Sequence, residues 1–415
     1  MDNLKDILNA LPPMLVGKEL METLSILPAY SDHIRCENEA ERLIALSDIY
    51  QVYLPSPMSA EIYSKLYLAL LRSLQKKITK EAIRQQNENF KAVRQQEHSG
   101  VLGGADSFTI IGTSGIGKSE AISRAISLIT TKRIIEVKSP YVKIIPCIVV
   151  QCPFDSSVKG LLLEILRKVD EQLQSQYYYN ALKARATTDM LIGSVSQVAL
   201  NHIGLLVVDE IQNVVNSKYG KSLVGMLTQL INNSGISICM VGTPESTVFF
   251  EQAMQLARRS LGLQYGRLDY DAYFYKLCCT LFSYQYTQHP SQISDAIVEW
   301  LYEHSAGVVS VVVSLIHDAQ EIAILNGKEI LNLETLHEAY QKRLVLLHSH
   351  IAPSIKQGKQ TASRKKAKLF PVESTEESET FDDCTIANLV STAKANNRDI
   401  VGLLREHICI TEAKL

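Results

Sequence analysis

Eight consecutive residues have the types and spacing that suit phosphate binding. Residues 112–119 read GTSGIGKS and fit the pattern G-x-x-x-x-G-K-[ST] at every fixed position. Small residues let successive backbone N–H groups point at phosphate oxygens, and glycine tolerates the positive φ angles that such a loop requires. Lys118 would reach the β- and γ-phosphates, and the Ser119 hydroxyl would ligate Mg²⁺. The predicted nucleotide-binding residues are Gly112, Thr113, Ser114, Gly115, Ile116, Gly117, Lys118 and Ser119.

An acidic pair supplies the second half of a nucleotide site. The apolar residues 205–208 directly precede Asp209 and Glu210, and the end of a buried strand would project this pair beside the phosphate loop. Asp209 would help to hold Mg²⁺, while Glu210 would orient and deprotonate an attacking water. A chance glycine turn and an acidic pair in an ordinary loop are the alternatives. Together the two motifs favour ATP hydrolysis, and the absence of an N-K-x-D motif disfavours GTP.

Two further positions extend the predicted site. Thr243 follows the next apolar run and fits a polar side chain beside the γ-phosphate, although a Thr-Pro turn explains it equally simply. Arg258 and Arg259 come shortly afterwards. Either could reach a nucleotide bound to a neighbouring subunit and stabilise charge in the transition state. The sequence does not choose between them, and one of them is open to a structural role.

The pattern of elements around these residues predicts an α/β fold. Apolar runs that read as strands alternate with helical spacings, and this alternation indicates a mostly parallel sheet with helices on both faces. The predicted strands are 107–111, 144–151, 205–208 and 236–241, and the predicted helices between them are 119–130, 155–174 and 188–201. The first of these helices would direct the positive end of its dipole at the phosphate site.

The chain of 415 residues is long enough for two or three domains. Helical spacing dominates both flanks of the α/β segment, and Ser291 and Asn332 are predicted helix caps. The predicted division is a helical N-terminal accessory region at 1–100, an α/β core at 101–285, a helical lid at 286–352, and a charged linker with a short helical tail at 353–415.

Composition excludes several classes of protein. No apolar stretch approaches the roughly 20 residues that span a bilayer, and the acidic N-terminus does not suit a secretory signal. Eight scattered cysteines without a CxxC pair indicate buried thiols in a cytosolic protein rather than a zinc site.

The net charge of −2 confines any DNA-binding surface to a local patch. Residues 72–94 are locally basic, which suits either a solvated helix face or a contact with a partner.

The order of these motifs resembles that of the AAA+ ATPases, and within them the TnsC/TniB family of transposon-encoded ATPases. The resemblance covers roughly residues 20–350 and is strongest from 107 to 260. It rests on six strings. They are FTIIGTSGIGKS at 108–119, QCPFDSSVKG at 151–160, HIGLLVVDEIQN at 202–213, VGTPE at 241–245, ARR at 257–259 and SAGVVSVVVSL at 305–315. One departure stands in the lid: Ser310 occupies the position, three residues after Gly307, where many AAA+ lids carry an arginine.

This resemblance implies an ATP- and Mg²⁺-dependent regulator of DNA transposition in the bacterial cytosol. Such proteins assemble as homo-oligomeric rings or helical filaments on double-stranded DNA. They link a TniQ/TnsD-like target-selection protein to the transposase subunits. In the same frame, Lys183, Arg185 and Thr188 lie where a segment could line the channel of an oligomer and grip phosphates. A merely solvated loop is the alternative for these three residues.

Other functions remain open from the sequence. A replication-initiator or loader ATPase would share the nucleotide motifs, but it usually adds a winged-helix domain after the lid. A nucleotide-switched signalling protein would use a repeat domain, and no repeat is visible. A P-loop kinase would need an acceptor pocket and lid arginines that the sequence does not reveal. No acidic triad indicates nuclease or transposase chemistry, so strand cutting would fall to a partner.

Overall fold

The computed structural model describes residues 9, 11–77, 84, 88, 91, 107–138, 141–155, 157–214, 220–247 and 262–348. All of them belong to one compact unit, Met1–Gln357. The predicted linker and tail at 353–415 lie outside the described residues, as do Arg258 and Arg259.

The described chain alternates strands and helices between two helical regions. The α-helices are α1 Gly17–Leu24, α2 Glu39–Ala45, α3 Pro57–Lys77, α4 Lys118–Ile129, α5 Val158–Leu173, α6 Tyr177–Lys183, α7 Thr188–His202, α8 Gly220–Ser234, α9 Ala272–Phe282, α10 Asp295–Ser305, α11 Val309–Leu325 and α12 Leu333–Arg343. The strands are β1 Phe108–Gly112, β2 Ile135–Lys138, β3 Tyr141–Gln151, β4 Ile203–Asp209, β5 Ser237–Gly242 and β6 Leu263–Tyr265. Short 3-10 turns cover Asp32–Cys36, Leu46–Gln51, Ile211–Val214, Pro244–Ser246 and Val345–Leu347.

The six strands form one sheet in the order β2-β3-β4-β5-β1-β6. All neighbouring pairs are parallel except β2 with β3, so the predicted mostly parallel α/β fold is confirmed. The strand β2 was not predicted, because a four-residue edge strand carries little periodicity. β5 lies between β1 and β4, which separates the phosphate-loop strand from the Asp-Glu strand by one strand.

Helices cover both faces of the sheet, which explains why its strands read as continuous apolar runs. In β4, Leu206 and Val208 pack into a core shared with α5, α7 and α8. The alternate residues Leu205 and Val207 pack on the other face, in a core shared with α3 and α4. The carboxyl ends of the buried strands β1, β4 and β5 therefore meet at one edge of the sheet.

The N-terminal region contacts both the sheet and the C-terminal helices. Helices α1 and α3 share a core with β1 and α4, whereas Leu46 and Ile49 pack into the core formed by α9 to α12. Arg42 is buried and makes two hydrogen bonds to the Glu329 carboxylate, at 2.6 and 2.7 Å. Removing either partner would strand a buried charge, so this pair fixes the N-terminal region to the helical region.

Local capping chemistry sets the helix starts. Ser157 caps α5 by accepting a hydrogen bond from the Gly160 N–H at 3.1 Å, and Asn332 caps α12 as predicted. The predicted cap at Ser291 is wrong, because α10 begins at Asp295 behind a Ser294 cap. The Ser291 hydroxyl instead donates to the Leu331 carbonyl at 2.5 Å.

Candidate nucleotide-binding site

The loop between β1 and α4 has the backbone shape that its glycines predicted. Gly115 and Gly117 have φ angles of +81° and +93°, a region that side chains with a Cβ rarely adopt. Gly112 is needed for a different reason, since a Cβ there would lie 3.0 Å from the carbonyl oxygen of Tyr265. The loop therefore turns tightly over the end of β1 and leads directly into α4, which begins at Lys118.

The side chain of Lys118 is buried under this loop. Its Nζ donates to the carbonyl of Gly112 at 2.6 Å and to that of Thr113 at 2.9 Å. Burial lowers the pKa of Lys118, while the charges of Asp209, Glu210 and Glu245 act in the opposite direction. The lysine is therefore a partly desolvated cation beside three carboxylates, where its attraction for phosphate is less screened than on an open surface.

The acidic pair lies at the carboxyl end of β4. Asp209 is in register with Gln151 of β3, and its Oδ1 accepts a hydrogen bond from the Glu210 N–H at 2.8 Å. Glu210 has a φ of +58°, an unusual conformation for a residue other than glycine.

One cavity of about 760 Å³ brings the predicted residues together. Residues 114–119 of the phosphate loop line it, and so do Asp209, Glu210 and Thr243. Ser119 and Asp209 offer the hydroxyl and carboxylate oxygens that Mg²⁺ prefers. The Thr243 hydroxyl is hydrogen-bonded to the Glu245 carboxylate, which is the main cause of the lowered pKa of Glu245.

The opposite wall of the cavity comes from the N-terminal region. Residues 51–56, here named the strap, cross from the 3-10 turn at Leu46–Gln51 to α3, and Gln51 to Leu54 and Ser56 line the cavity. The ring of Tyr53 lies 4.4 Å from the guanidinium of Arg124 on the phosphate-loop helix. Tyr273 fixes the strap from the other side, because its hydroxyl donates to the Leu54 carbonyl at 2.8 Å. The strap was not predicted, since its sequence resembles no binding motif.

The lid contacts the phosphate loop directly. The backbone N–H of Ser310, near the start of α11, donates to the Gly115 carbonyl at 2.9 Å. A Cβ at Gly115 would lie 2.3 Å from the Ser310 hydroxyl. Close packing of the small Ser310 against the loop thus occupies the place where the sequence comparison expected an arginine.

Gly112 and Thr113 of the loop do not line this cavity, and neither do the three residues predicted to contact DNA. Lys183 ends α6, Arg185 follows it with a φ of +49°, and Thr188 begins α7. Lys183 and Arg185 are exposed, and Thr188 is half-buried. None of the three lines the nucleotide cavity, so a binding role there would concern a different ligand.

One side chain of the site was missed. Gln212, two residues after Glu210, lines the cavity and donates a hydrogen bond from Nε2 to the Glu210 carboxylate. Its position in the string DEIQN was visible in the sequence, but a glutamine in a loop carries no distinctive chemical signal.

Comparison with known proteins agrees with this geometry. Residues 88–264 match the family described as bacterial TniB protein. Over this segment the chain is similar to bacterial TniB proteins. The match covers the phosphate loop, the Asp-Glu strand and Thr243, and it confirms the resemblance to transposon-encoded AAA+ ATPases. The AAA+ fold and a nucleotide-binding role follow from it, together with the strand order. No curated protein matched the chain.

Several solved structures match the chain at low sequence identity. The Aeropyrum pernix ORC1 protein in complex with DNA is 14% identical, with 80% of this chain and 78% of that chain covered and a TM-score of 0.40. Drosophila ORC bound to DNA is 14% identical, with 100% and 88% covered and a TM-score of 0.43. A mutant of Thermotoga maritima RuvB is 10% identical, with 85% and 89% covered and a TM-score of 0.35. Similarity this low carries no argument about function.

A search of the helices in the described ranges found none that is long and apolar enough to cross a membrane.

Proposed function

We propose that this chain binds and hydrolyses ATP with Mg²⁺ at the cavity between the sheet, the strap and the lid. The observation that carries the proposal is the convergence of Lys118, Ser119, Asp209, Glu210 and Thr243 on that one cavity. The same cavity receives the N-terminus of α4, whose dipole and free N–H groups favour an anion.

Each residue would have a distinct task in hydrolysis. Lys118 pairs with the β- and γ-phosphates, and Ser119 and Asp209 hold Mg²⁺, which neutralises phosphate charge when bound. Glu210 accepts the proton of the attacking water and directs its lone pair at the γ-phosphate. Thr243 would exchange its hydrogen bond to Glu245 for one to the γ-phosphate.

The base and sugar would occupy the half of the cavity that the strap lines. This half carries apolar and aromatic side chains, among them Val52, Tyr53 and Tyr273, together with the Arg124 guanidinium, which lies 4.4 Å from the Tyr53 ring. Such a surface suits a planar base, while the phosphates remain over the loop. Because the strap also ties the sheet to the helical region, bound nucleotide would hold the two together.

We further propose that the ATPase acts as an oligomer on double-stranded DNA and regulates transposition in the bacterial cytosol. The support is the match of residues 88–264 to the TniB family and the position of Arg258 and Arg259, either of which would complete a neighbour's site. The assembly would receive a target-selection protein and recruit the transposase. In this proposal the chain comprises an N-terminal region at 1–100, a core at 101–285, a lid at 286–352 and a tail at 353–415.

Electron microscopy of the protein with duplex DNA tests the proposal most directly. Rings or filaments are expected on DNA with a non-hydrolysable ATP analogue, and they should disappear when nucleotide is omitted. A monomer that ignores DNA in both conditions would contradict the proposal and favour a signalling switch.

Removal of two surface charges tests the DNA contact. The double variant Lys183→Ala/Arg185→Ala should bind duplex DNA more weakly, because two phosphate contacts are lost. The slope of log affinity against log salt should fall by about two. Filter binding across a salt series measures this slope. Nucleotide affinity should not change, since neither residue lines the cavity.

The matched control is Lys132→Ala/Arg133→Ala, which removes the same charge from two exposed residues after α4. Equal loss in both double variants would point to net charge alone. Wild-type DNA affinity for the Lys183/Arg185 variant would rule out the proposed contact.

A further inference from the structure

The Glu210 carboxylate, which the proposed function makes the general base, is held by a neighbouring side chain. The Nε2 group of Gln212 donates a hydrogen bond to Oε2 of Glu210. The Glu210 backbone has a φ of +58°, so its conformation costs free energy and depends on surrounding contacts. A carboxylate on such a residue gains its direction from what it bonds to.

The turn that carries Gln212 is firmly anchored. Ile211 is fully buried beneath it, and the Asn213 backbone N–H donates to the Glu210 carbonyl at 3.0 Å. The Asn213 side-chain amide also donates to the Cys152 carbonyl, just beyond β3, at 3.1 Å. The turn is thus fixed to two adjacent strand ends, and Gln212 projects from a rigid base.

The other end of the Gln212 amide is also confined. Its Oε1 is buried and accepts no hydrogen bond from the described residues. A Cβ built at Gly242, the last residue of β5, would lie 3.2 Å from this oxygen. If the Gln212 amide were turned over, Oε1 would face the Glu210 carboxylate and the two acceptors would repel each other. The observed orientation of the amide is therefore the favoured one.

We propose that Gln212 is a positioning residue that aims Glu210 at the attacking water. It spans the space between the Asp-Glu strand end and the tip of β5, which are the two edges of the reacting centre. A buried amide oxygen is rarely left unpaired in native proteins. The unpaired amide oxygen of Gln212 lies at a cavity wall, which fits a side chain retained for the geometry of the reaction rather than for stability. This inference rests on the proposed ATP hydrolysis and names a residue that serves it.

Replacement of Gln212 by alanine should lower kcat for ATP hydrolysis about 10- to 100-fold, because small displacements of a reacting group have effects of this size. KM and the affinity for a non-hydrolysable analogue should not change, since the phosphate contacts remain. Gln212→Glu should be at least as slow, because it puts a second carboxylate against Glu210. Steady-state kinetics with duplex DNA present measures both variants.

A double-mutant cycle separates positioning from general structural damage. If Gln212 acts through Glu210, the variant Gln212→Ala should have no further effect on kcat in a Glu210→Gln background. Gln229→Ala, an exposed glutamine of α8, is the matched control and should behave as wild type.

The outcomes distinguish this inference from the function on which it rests. Wild-type kcat for Gln212→Ala, or an additive loss in the double variant, overturns the positioning role and leaves ATP hydrolysis standing. A wild-type protein that releases no phosphate above the background of Lys118→Ala overturns both. A kcat lowered about 10- to 100-fold in the single variant, with no further loss in the double variant relative to Glu210→Gln, supports the inference.

Discussion

Lys118→Ala is expected to abolish nucleotide binding. The lysine is 9% exposed and lies directly under the loop, with its Nζ hydrogen-bonded to the Gly112 carbonyl. Hydrogen bonds from a charged group contribute about 1.5 to 3 kcal/mol each. Two such bonds from Lys118 to the phosphates of bound ATP would, when lost, correspond to a loss of affinity of at least about 100-fold. Titration calorimetry with ATP and Mg²⁺ measures the change.

The same variant should fail to form nucleotide-dependent assemblies on DNA. Its fold should survive, because alanine is a good helix former at the start of α4 and removes a buried charge. Lys132→Ala, an exposed lysine after α4, is the control. An affinity for ATP within about threefold of wild type would contradict the assignment, because the loss of even one charged contact to phosphate should lower the affinity by more than that.

Glu210→Gln is expected to separate binding from hydrolysis. The glutamine has the same shape but cannot accept a proton, so kcat should fall by about 10²- to 10⁴-fold, the range of general base catalysis. Nucleotide affinity should stay near that of wild type, because Lys118 and the loop are untouched. Malachite-green phosphate release and analogue binding measure the two quantities.

Assemblies of this variant on DNA should persist after ATP is added, if hydrolysis releases the subunits. Asp209→Asn is the informative comparison, because its main effect should be a higher requirement for Mg²⁺. Unchanged turnover in Glu210→Gln would refute the role of Glu210 as general base. Equal loss of ATP binding in both variants would show that the acidic pair holds nucleotide rather than activating water.

Lys77 has an environment in the structure that the local sequence pattern did not predict. It belongs to the basic stretch at 72–94, for which the sequence offered a solvated face or a partner contact. In the structure its Nζ donates to the carbonyls of Ala199 and Leu200 near the end of α7, at 2.7 and 2.5 Å. Burial lowers the pKa of Lys77 to about 7. Neither expectation fits this lysine, because the helix end that it caps is more than 100 residues away.

The sequence by itself determined the parts of the molecule that depend on neighbours in the chain. The phosphate loop between β1 and α4, the apolar run before Asp209 and Glu210, and the caps at Ser157 and Asn332 are set by backbone geometry and spacing over a few residues. Such local preferences act before any tertiary contact forms, so they were readable without the structure.

Only the tertiary structure decided which distant segments complete the cavity. The strap and the phosphate loop are far apart in the chain, and so are Gly115 and Ser310, yet they share one site. Their meeting depends on how the apolar residues of the N-terminal region divide between two cores, one with the sheet and one with the C-terminal helices. No periodicity encodes that division, because apolar packing is non-directional and only the complete fold selects its partners.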